Sequence, residues 1–306
     1  MISFLKHKEI DKNKWDDCID NSINGLIYVR SFYLDYISSG WNALVLNDYE
    51  MVMPLTWRKK YFINYLYQPS FFQQGGIYSR FPTDQYISIQ FLEKALIHYR
   101  YIDITLNYLN DIDTNFFTSA VKRNNFLLPL NSGAYLEIQK REGFKQALAK
   151  SFQQNLMYES TTDFEQAITM YKNLYIDRIQ SVKKEDLSNF FKICKICKEN
   201  ENLIIRKATH KNEIVAIVLL LKDKKRIYNL ISCITDEGKK LNSNYFLYYN
   251  LIKEFSGTNL ILDLEGSDIE GIKFFYKRIT DLNQPYFELK INNLPFDPAN
   301  IKRLIK

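Results

Sequence analysis

The sequence predicts an α+β protein built from two tandem units, each with a mixed, mostly antiparallel sheet flanked by helices. Short apolar runs of strand length alternate with polar turns, and amphipathic stretches of helical period follow them. The same order of elements then recurs at an offset of about 160 residues. We place the units at residues 1–140 and 141–306, and the final segment either completes the second unit or packs back on the first.

Composition and charge narrow the class of protein. The chain has 306 residues, of which 46% are hydrophobic and 25% charged, so it can bury a substantial core. Its formal net charge of +6 comes from short, scattered runs of lysine and arginine, whereas a nucleic-acid surface needs cations clustered on one face. The start lacks a signal-peptide pattern and the longest apolar run, residues 214–221, is too short to span a bilayer. We therefore expect a cytoplasmic protein without a membrane span.

The cysteines indicate neither a disulfide framework nor a metal site. Four cysteines are too few to staple a chain of this length. Cys194 and Cys197 form a lone C-x-x-C, but they share one helical face with Leu187, Phe190 and Phe191. With no second pair of cysteines, the pattern predicts buried thiols on a helix face.

The first unit is predicted to contain three strands, a helix, a strand, a second helix and a closing strand. In order, these are WNALVL, MVMPLTW, YFINYLYQ, TDQYISIQFLEKALIHY, YIDITLNY, TNFFTSAVKRN and YLEI. The loop PSFFQQGGIYSRFP precedes the first of these helices. Within it, Gln73 and Gln74 either line a polar substrate pocket or belong to a structural loop, for which Gly75 and Gly76 permit a tight backbone path.

The second unit repeats this order after a helical segment. Its strands ENLIIRKA, IVAIVLLL and RIYNLISCIT are followed by the polar loop DEGKKLNS and the helix NYFLYYNLIKEF. The strand LILDLEG, the helix IKFFYKRI and the strand YFELKI complete it. Leu247, Leu251, Ile252 and Phe255 form an apolar stripe on the first of these helices, which therefore packs on the sheet.

This order of elements resembles the GNAT acyltransferase fold. IKFFYKRI followed by PYFELKI is similar to the last helix and strand of that family, and GKKLNSNYFLYYNLI stands where its acyl-CoA pyrophosphate loop lies. The stretch from GWNALVL to QQGGIYS resembles bacterial proteins with two GNAT-like units, related to the Fem peptidyltransferases. The resemblance implies that the fourth and fifth strands of the unit splay apart and hold the acyl donor between them.

The resemblance places a donor phosphate at Lys239, Lys240, Asn242, Ser243 and Asn244. Two glycines of the family's loop are replaced here by Asn242 and Asn244. Asparagine enters left-handed conformations more readily than most residues, so the loop geometry can survive. The amides of a helix N-terminus, together with two lysines, favour a phosphate. The alternative is a helix capped by Ser243 with solvated lysines.

Two carboxylates end an otherwise apolar strand in LILDLEGS. The resemblance implies that Glu265 acts as a general base toward an amine, that Asp263 and Ser267 contact substrate, and that Tyr276 protonates the leaving thiolate. A partly buried glutamate has the raised pKa that a base requires. The alternatives are carboxylates bonded to neighbouring backbone or lysine, a turn or cap serine, and a core tyrosine.

The predicted function is transfer of an acyl or aminoacyl group from a thioester or ester donor, acyl-CoA first, to a small-molecule or peptide-like amine. The alternative is a non-catalytic GNAT-fold binding protein, which the replaced glycines favour. Aminoacyl-tRNA is disfavoured because Gln153 and Gln154 stand where Fem-like proteins often carry basic residues.

Overall fold

The computed structural model describes residues 1–60, 62–114, 117, 119–175, 182–266 and 268–295. The chain divides into two compact units: Met1–Arg123 together with the segment from Pro285, and Asn124–Gln284. Both have a mixed sheet with helices, as the sequence predicts.

The first unit is organised around one sheet with the order β1-β2-β3-β4-β6-β14-β7, in which β5 pairs with β3. Among the strand pairs of its described residues, only β4–β6 is parallel. The strands are β1 (Ile2–Leu5), β2 (Trp41–Leu46), β3 (Met51–Lys60), β4 (Ile63–Tyr67), β5 (Tyr78–Ser79), β6 (Tyr101–Thr105), β7 (Val121–Arg123) and β14 (Tyr286–Asn292). The helices are α1 (Lys12–Asn21), α2 (Ser31–Ile37) and α3 (Gln85–His98).

The second unit repeats this succession of strand directions in the order β9-β10-β11-β12-β13-β8, and only β12–β13 is parallel. Its strands are β8 (Leu127–Pro129), β9 (Met157–Thr161), β10 (Leu203–His210), β11 (Glu213–Lys222), β12 (Arg226–Ile234) and β13 (Ile261–Asp263). Its helices are α4 (Ala134–Lys140), α5 (Glu142–Phe152), α6 (Phe164–Tyr175), α7 (Lys184–Glu199), α8 (Asp236–Lys240), α9 (Ser243–Phe255) and α10 (Glu270–Ile279).

Two long-range strand pairings move the boundary between the units. The sequence places it after residue 140, whereas the second compact unit begins at Asn124. The difference arises because β8 pairs with β13 of the second sheet, while β14 pairs with β6 and β7 of the first. Partners so far apart along the chain leave no local pattern by which to recognise them.

Three local assignments differ from the structure. YLEI is not a strand but part of α4, where Ala134 and Ile138 are buried one helical turn apart. The predicted helix TNFFTSAVKRN is absent among its described residues, three of which form β7, while Asn115, Phe116 and Thr118 lie outside them. Part of the predicted loop DEGKKLNS forms α8, because Thr235 accepts a hydrogen bond from the Gly238 amide and caps that turn.

Most residues of the predicted apolar helix faces are buried, although Phe191 of α7 is exposed and Phe255 of α9 is partly buried. Leu247, Leu251 and Ile252 of α9 belong to the core of the second unit. Cys194 and Cys197 are buried on α7 as free thiols. None of the helices within the described ranges is long and apolar enough to cross a membrane.

Candidate active site

The candidate site lies where β12 and β13 separate. These parallel strands pair only from Arg226 with Ile261 to Tyr228 with Asp263. Strand β13 then ends, while β12 continues to Ile234. A register shift against β11, between Leu219 and Leu220, adds an irregularity to β12 at this point. Within the described part of the chain, the β12 backbone beyond Tyr228 therefore has no neighbouring strand on the β13 side, which leaves a gap next to Asn229.

A buried ion pair holds the end of β13. The Asp263 side chain is fully buried, and its Oδ2 lies 2.7 Å from Nη1 of Arg226. Arg226 also donates from Nη2 to Oε1 of Gln284 at 2.9 Å. Burial raises the pKa of Asp263, whereas the guanidinium acts to lower it. Asp263 therefore has no access to substrate in this structure, unlike the substrate contact expected from the sequence, because a buried carboxylate needs such a partner.

The turn after β13 sets the direction of Glu265. Asp263 Oδ1 accepts a hydrogen bond from the Glu265 amide at 3.1 Å, and Asn125 Oδ1 accepts one from the Gly266 amide at 2.9 Å. Glu265 has a φ of 58°, in the left-handed region. A Cβ on Gly266 would lie 1.8 Å from the carbonyl oxygen of Asn124, so only glycine fits there. Strained residues of this kind cluster at functional sites.

The Glu265 carboxyl group is the best candidate for a catalytic group in this region. The residue as a whole is partly exposed, yet its Oε1 is buried and has no hydrogen-bond partner in the described part of the chain. Burial raises the pKa of Glu265 well above its usual value. The same carboxylate contributes to a raised pKa of Tyr276, so the two groups interact. Glu265 and Tyr276 therefore lie within electrostatic range of each other.

Two tyrosines and one asparagine form a buried polar network beside Glu265. Asn229 Nδ2 donates to the hydroxyls of Tyr248, at 2.7 Å, and of Tyr276, at 3.2 Å. Burial raises the pKa of Tyr248 to about 12 and that of Tyr276 well above its usual value. Asn229 Oδ1 is buried without a partner among the residues described. Two acceptor atoms, one on Asn229 and one on Glu265, thus remain for a ligand.

Asn229 and Tyr248 belong to the candidate site but were not predicted from the sequence. Asn229 is a polar residue within the apolar run RIYNLISCIT, and that interruption was the available signal. Tyr248 lies on α9 among residues that pack on the sheet, so its spacing resembles that of a core tyrosine. Ser267, a predicted substrate contact, lies outside the described residues.

The predicted phosphate loop forms the junction of α8 and α9. Asn242 has a φ of 54° and begins α9, which confirms that asparagine adopts the left-handed conformation here. Ser243 is fully buried and is the first helical residue rather than a cap, and its hydroxyl has no partner in the described ranges. The amides of Ser243 and Asn244 belong to a first turn, where intrahelical partners are lacking. Lys239 is exposed and pairs with Asp236 at 2.8 Å, and Lys240 is also exposed.

Comparisons with known proteins agree with this topology. The structure is similar to that of FemX, with a TM-score of 0.62 and 11% identity over 97% of this chain and 98% of that one. The chain has the tandem GNAT fold. A tandem GNAT protein from the clavulanic acid biosynthesis pathway matches with a TM-score of 0.55 and 9% identity over 97% and 100% of the two chains. L-PGS from Bacillus licheniformis matches with a TM-score of 0.53 and 10% identity, over 96% of this chain and 97% of that one.

No protein-family model matches the chain, and no curated protein is similar to it in sequence. The structural matches have about 10% sequence identity and therefore establish the fold alone. The reaction must be inferred from the residues of the site in this chain.

The corresponding gap in the first GNAT-like unit is closed by its own loop. Strands β4 and β6 pair in parallel only up to Tyr67 with Asp103. Beyond them, Gln68 Oε1 accepts a hydrogen bond from the Thr105 amide at 3.0 Å, and Thr105 Oγ1 donates to the carbonyl of Gln73 at 2.6 Å. Gln74 is fully buried and accepts a hydrogen bond from the Tyr108 amide at 3.0 Å. Gln74 is therefore structural, and both glutamines belong to the loop that fills this gap.

Proposed function

We propose that the second GNAT-like unit transfers an acyl or aminoacyl group from a thioester or ester donor to an amine. The observation that supports this proposal is the Glu265 carboxyl group, whose Oε1 is buried without a partner among the described residues, on a residue with left-handed backbone that interacts electrostatically with Tyr276. A protein that only binds a ligand has no need for an unpaired buried carboxyl group, which is unfavourable for stability.

The proposed reaction assigns one proton transfer to each group. The amine nitrogen attacks the carbonyl carbon of the donor, a C–N bond forms, and Glu265 accepts the proton that the nitrogen loses. The C–S or C–O bond to the leaving group then breaks, and Tyr276 donates its hydroxyl proton to the departing sulfur or oxygen. We assign stabilisation of the oxyanion to backbone amides of β12 next to the gap. Transfer of the proton from Glu265 to Tyr276 returns both groups to their starting state.

The α8–α9 junction suits a phosphate-bearing donor such as acyl-CoA. Amides of the α9 first turn provide hydrogen-bond donors for an anion, and the unpartnered Ser243 hydroxyl lies in the same turn. Gly238 permits the close packing of this turn, because a Cβ there would lie 2.6 Å from Ser243 Oγ. An aminoacyl-tRNA, which is an ester donor, also carries phosphates in its RNA backbone. Binding measurements with acyl-CoA and with tRNA therefore distinguish the two donors.

The acceptor is proposed to be a small-molecule or peptide-like amine. The unpartnered oxygens of Asn229 and Glu265 suit the N–H groups of such a ligand. A groove of about 800 Å³ also opens beside Thr235, the residue that caps α8. It is lined by one side of α6 and includes the carboxylates of Asp163 and Glu165. Carboxylates attract a cationic amine toward the donor loop.

A ligand screen tests the proposed function directly. Acetyl-CoA, longer acyl-CoAs and tRNA are added separately, and the thermal midpoint is measured. A donor that binds only the folded state raises the thermal midpoint. At a donor concentration of 100 times its Kd, the free energy of unfolding increases by about 2.7 kcal/mol. A shift with one donor, followed by acylation of an amine in its presence, is the expected result. Binding without transfer to any amine tested would instead support the non-catalytic alternative.

Charge reversal at the donor loop is expected to weaken donor binding. Replacing both Lys239 and Lys240 by glutamate puts negative charge beside the proposed phosphate site, so affinity for acetyl-CoA should fall at least about tenfold, or 1.4 kcal/mol. Isothermal titration measures the change. Replacing Lys224 and Lys225, an exposed pair in the turn before β12, is the matched control. Equal affinity in both double variants would place the donor phosphate elsewhere.

Removal of the Tyr276 hydroxyl is expected to slow turnover without weakening donor binding. Tyr276→Phe removes the proposed acid, but the neighbouring Tyr248 hydroxyl can supply a proton in its place, so we expect a loss of about tenfold, below the usual range for an acid. Steady-state turnover and acetyl-CoA affinity are measured together. Tyr249→Phe, on the same helix but outside the network, is the control. Unchanged turnover in Tyr276→Phe would make this residue structural.

A further inference from the structure

Arg278, in the last turn of α10, has an unusual environment. Its Nη1 donates to the hydroxyl of Tyr245 at 2.6 Å, and the guanidinium lies 4.2 Å from the centre of the Phe274 ring. The side chain is partly buried, and no carboxylate pairs with it among the described residues. The guanidinium is therefore held in a fixed orientation with its charge unneutralised.

The other described arginines of the second unit differ in this respect. Arg141 pairs with Asp281 at 2.8 Å, Arg206 with Glu254 at 2.5 Å and Arg226 with Asp263 at 2.7 Å. Arginine is favoured for buried ion pairs and for phosphate recognition because its planar guanidinium matches carboxylate and phosphate oxygens. Arg278 instead has an aromatic face and a hydroxyl as neighbours, which orient it and leave most of its five N–H groups for another partner.

Gly143 leaves room for the Arg278 side chain near the first turn of α9. A Cβ on Gly143 would lie 2.8 Å from Nε of Arg278, so any larger residue on α5 would displace the guanidinium. Its partner Tyr245 belongs to the first turn of α9, which also contains the unpartnered Ser243 hydroxyl. The contact thus brings the free cation of α10 to the turn proposed to face the donor.

We propose that Arg278 binds a phosphate group of the donor. This inference rests on the proposed function and adds the residue that recognises the nucleotide part of the donor. A planar guanidinium forms paired hydrogen bonds to phosphate oxygens, and such charge-assisted bonds are about twice as strong as neutral ones. The phosphate belongs either to coenzyme A or to the 3′ end of a tRNA, since the chemistry presented to Arg278 is the same.

The test compares Arg278→Gln with the wild-type protein by isothermal titration against acetyl-CoA, its 3′-dephospho form and unfractionated tRNA. Loss of a charge-assisted contact should lower the affinity for the affected ligand by about tenfold to a hundredfold. Arg141→Gln is the matched control, because it removes the same charge from a nearby arginine that already has a carboxylate partner. Gly143→Ala keeps the charge but crowds the guanidinium, so it should lower the affinity for the same ligand.

The pattern across ligands identifies the phosphate. Weaker binding of acetyl-CoA alone points to its 3′-phosphate, weaker binding of both coenzymes to the pyrophosphate, and weaker binding of tRNA alone to a phosphodiester. Unchanged affinity of Arg278→Gln for a ligand that the wild type binds overturns this inference and leaves the proposed function intact. A wild type that binds none of the three overturns both. Thermal midpoints of the variants, compared with the wild type, show that they are folded.

Discussion

Replacing Glu265 by glutamine is expected to lower turnover by about 100-fold or more, which is the usual scale for a general base. Glutamine has nearly the same shape and keeps the turn formed by Asp263 and Gly266, so donor binding should persist. Turnover with a saturating donor and amine measures the effect. Glu270→Gln, which removes an exposed carboxylate from the first turn of α10, is the control and should leave turnover unchanged.

The pH dependence of the same variant separates chemistry from packing. Glu265 must be ionised to accept a proton, and burial raises its pKa, so wild-type turnover should increase as pH rises through that raised pKa. In Glu265→Gln this rising limb should disappear. A variant with full turnover and the wild-type pH profile would show that Glu265 is structural.

Stability should change in the opposite direction to activity. Because the folded-state pKa of Glu265 is raised, the folded protein binds more protons than the unfolded chain between the two pKa values. The stabilising effect of this group is therefore complete below its unfolded pKa and is lost as pH rises through the folded one. Glu265→Gln should remove this loss and raise the thermal midpoint at alkaline pH relative to the wild type. A lower midpoint there would contradict the assignment of a buried, unpaired carboxyl group.

Breaking the buried ion pair is expected to have the largest effect on stability. Arg226→Met leaves Asp263 buried without its cation, which typically costs about 3–5 kcal/mol of unfolding free energy. Urea denaturation followed by circular dichroism measures the loss. The variant should also lose activity, because Asp263 accepts the Glu265 amide and so positions the proposed base.

A double variant distinguishes the ion pair from general packing. Adding Asp263→Leu to Arg226→Met removes the uncompensated charge, so much of the lost stability should return. Activity should stay low, since leucine cannot accept the Glu265 amide. Arg141→Gln, which breaks the exposed pair with Asp281, should change stability by about 1 kcal/mol or less. A loss of that size in Arg226→Met would mean that the pair contributes little.

Features that depend on neighbouring residues could be predicted from the sequence. Apolar runs and polar turns located β10, β11 and β12, and the spacing of Leu247, Leu251 and Ile252 located the buried face of α9. The conformation of Asn242 was predictable because it follows from the intrinsic preference of asparagine for left-handed backbone. Glu265 and Tyr276 were site candidates because the sequence resembles the GNAT fold and because two carboxylates end an otherwise apolar strand.

Which side chains contact each other depends on the folded chain and could not be predicted from the sequence. Arg226 and Asp263 are 37 residues apart along the chain, and their pairing turns a predicted substrate contact into a buried support. Asn229 joins Tyr248 to Tyr276 only because α9 and α10 place both hydroxyls at the same gap in the sheet. Strands β8 and β14 depend on pairings with β13 and β6. Local propensity reports the conformation of a segment, whereas the partner of a buried charge, hydroxyl or strand edge is set by distant residues that folding brings within reach.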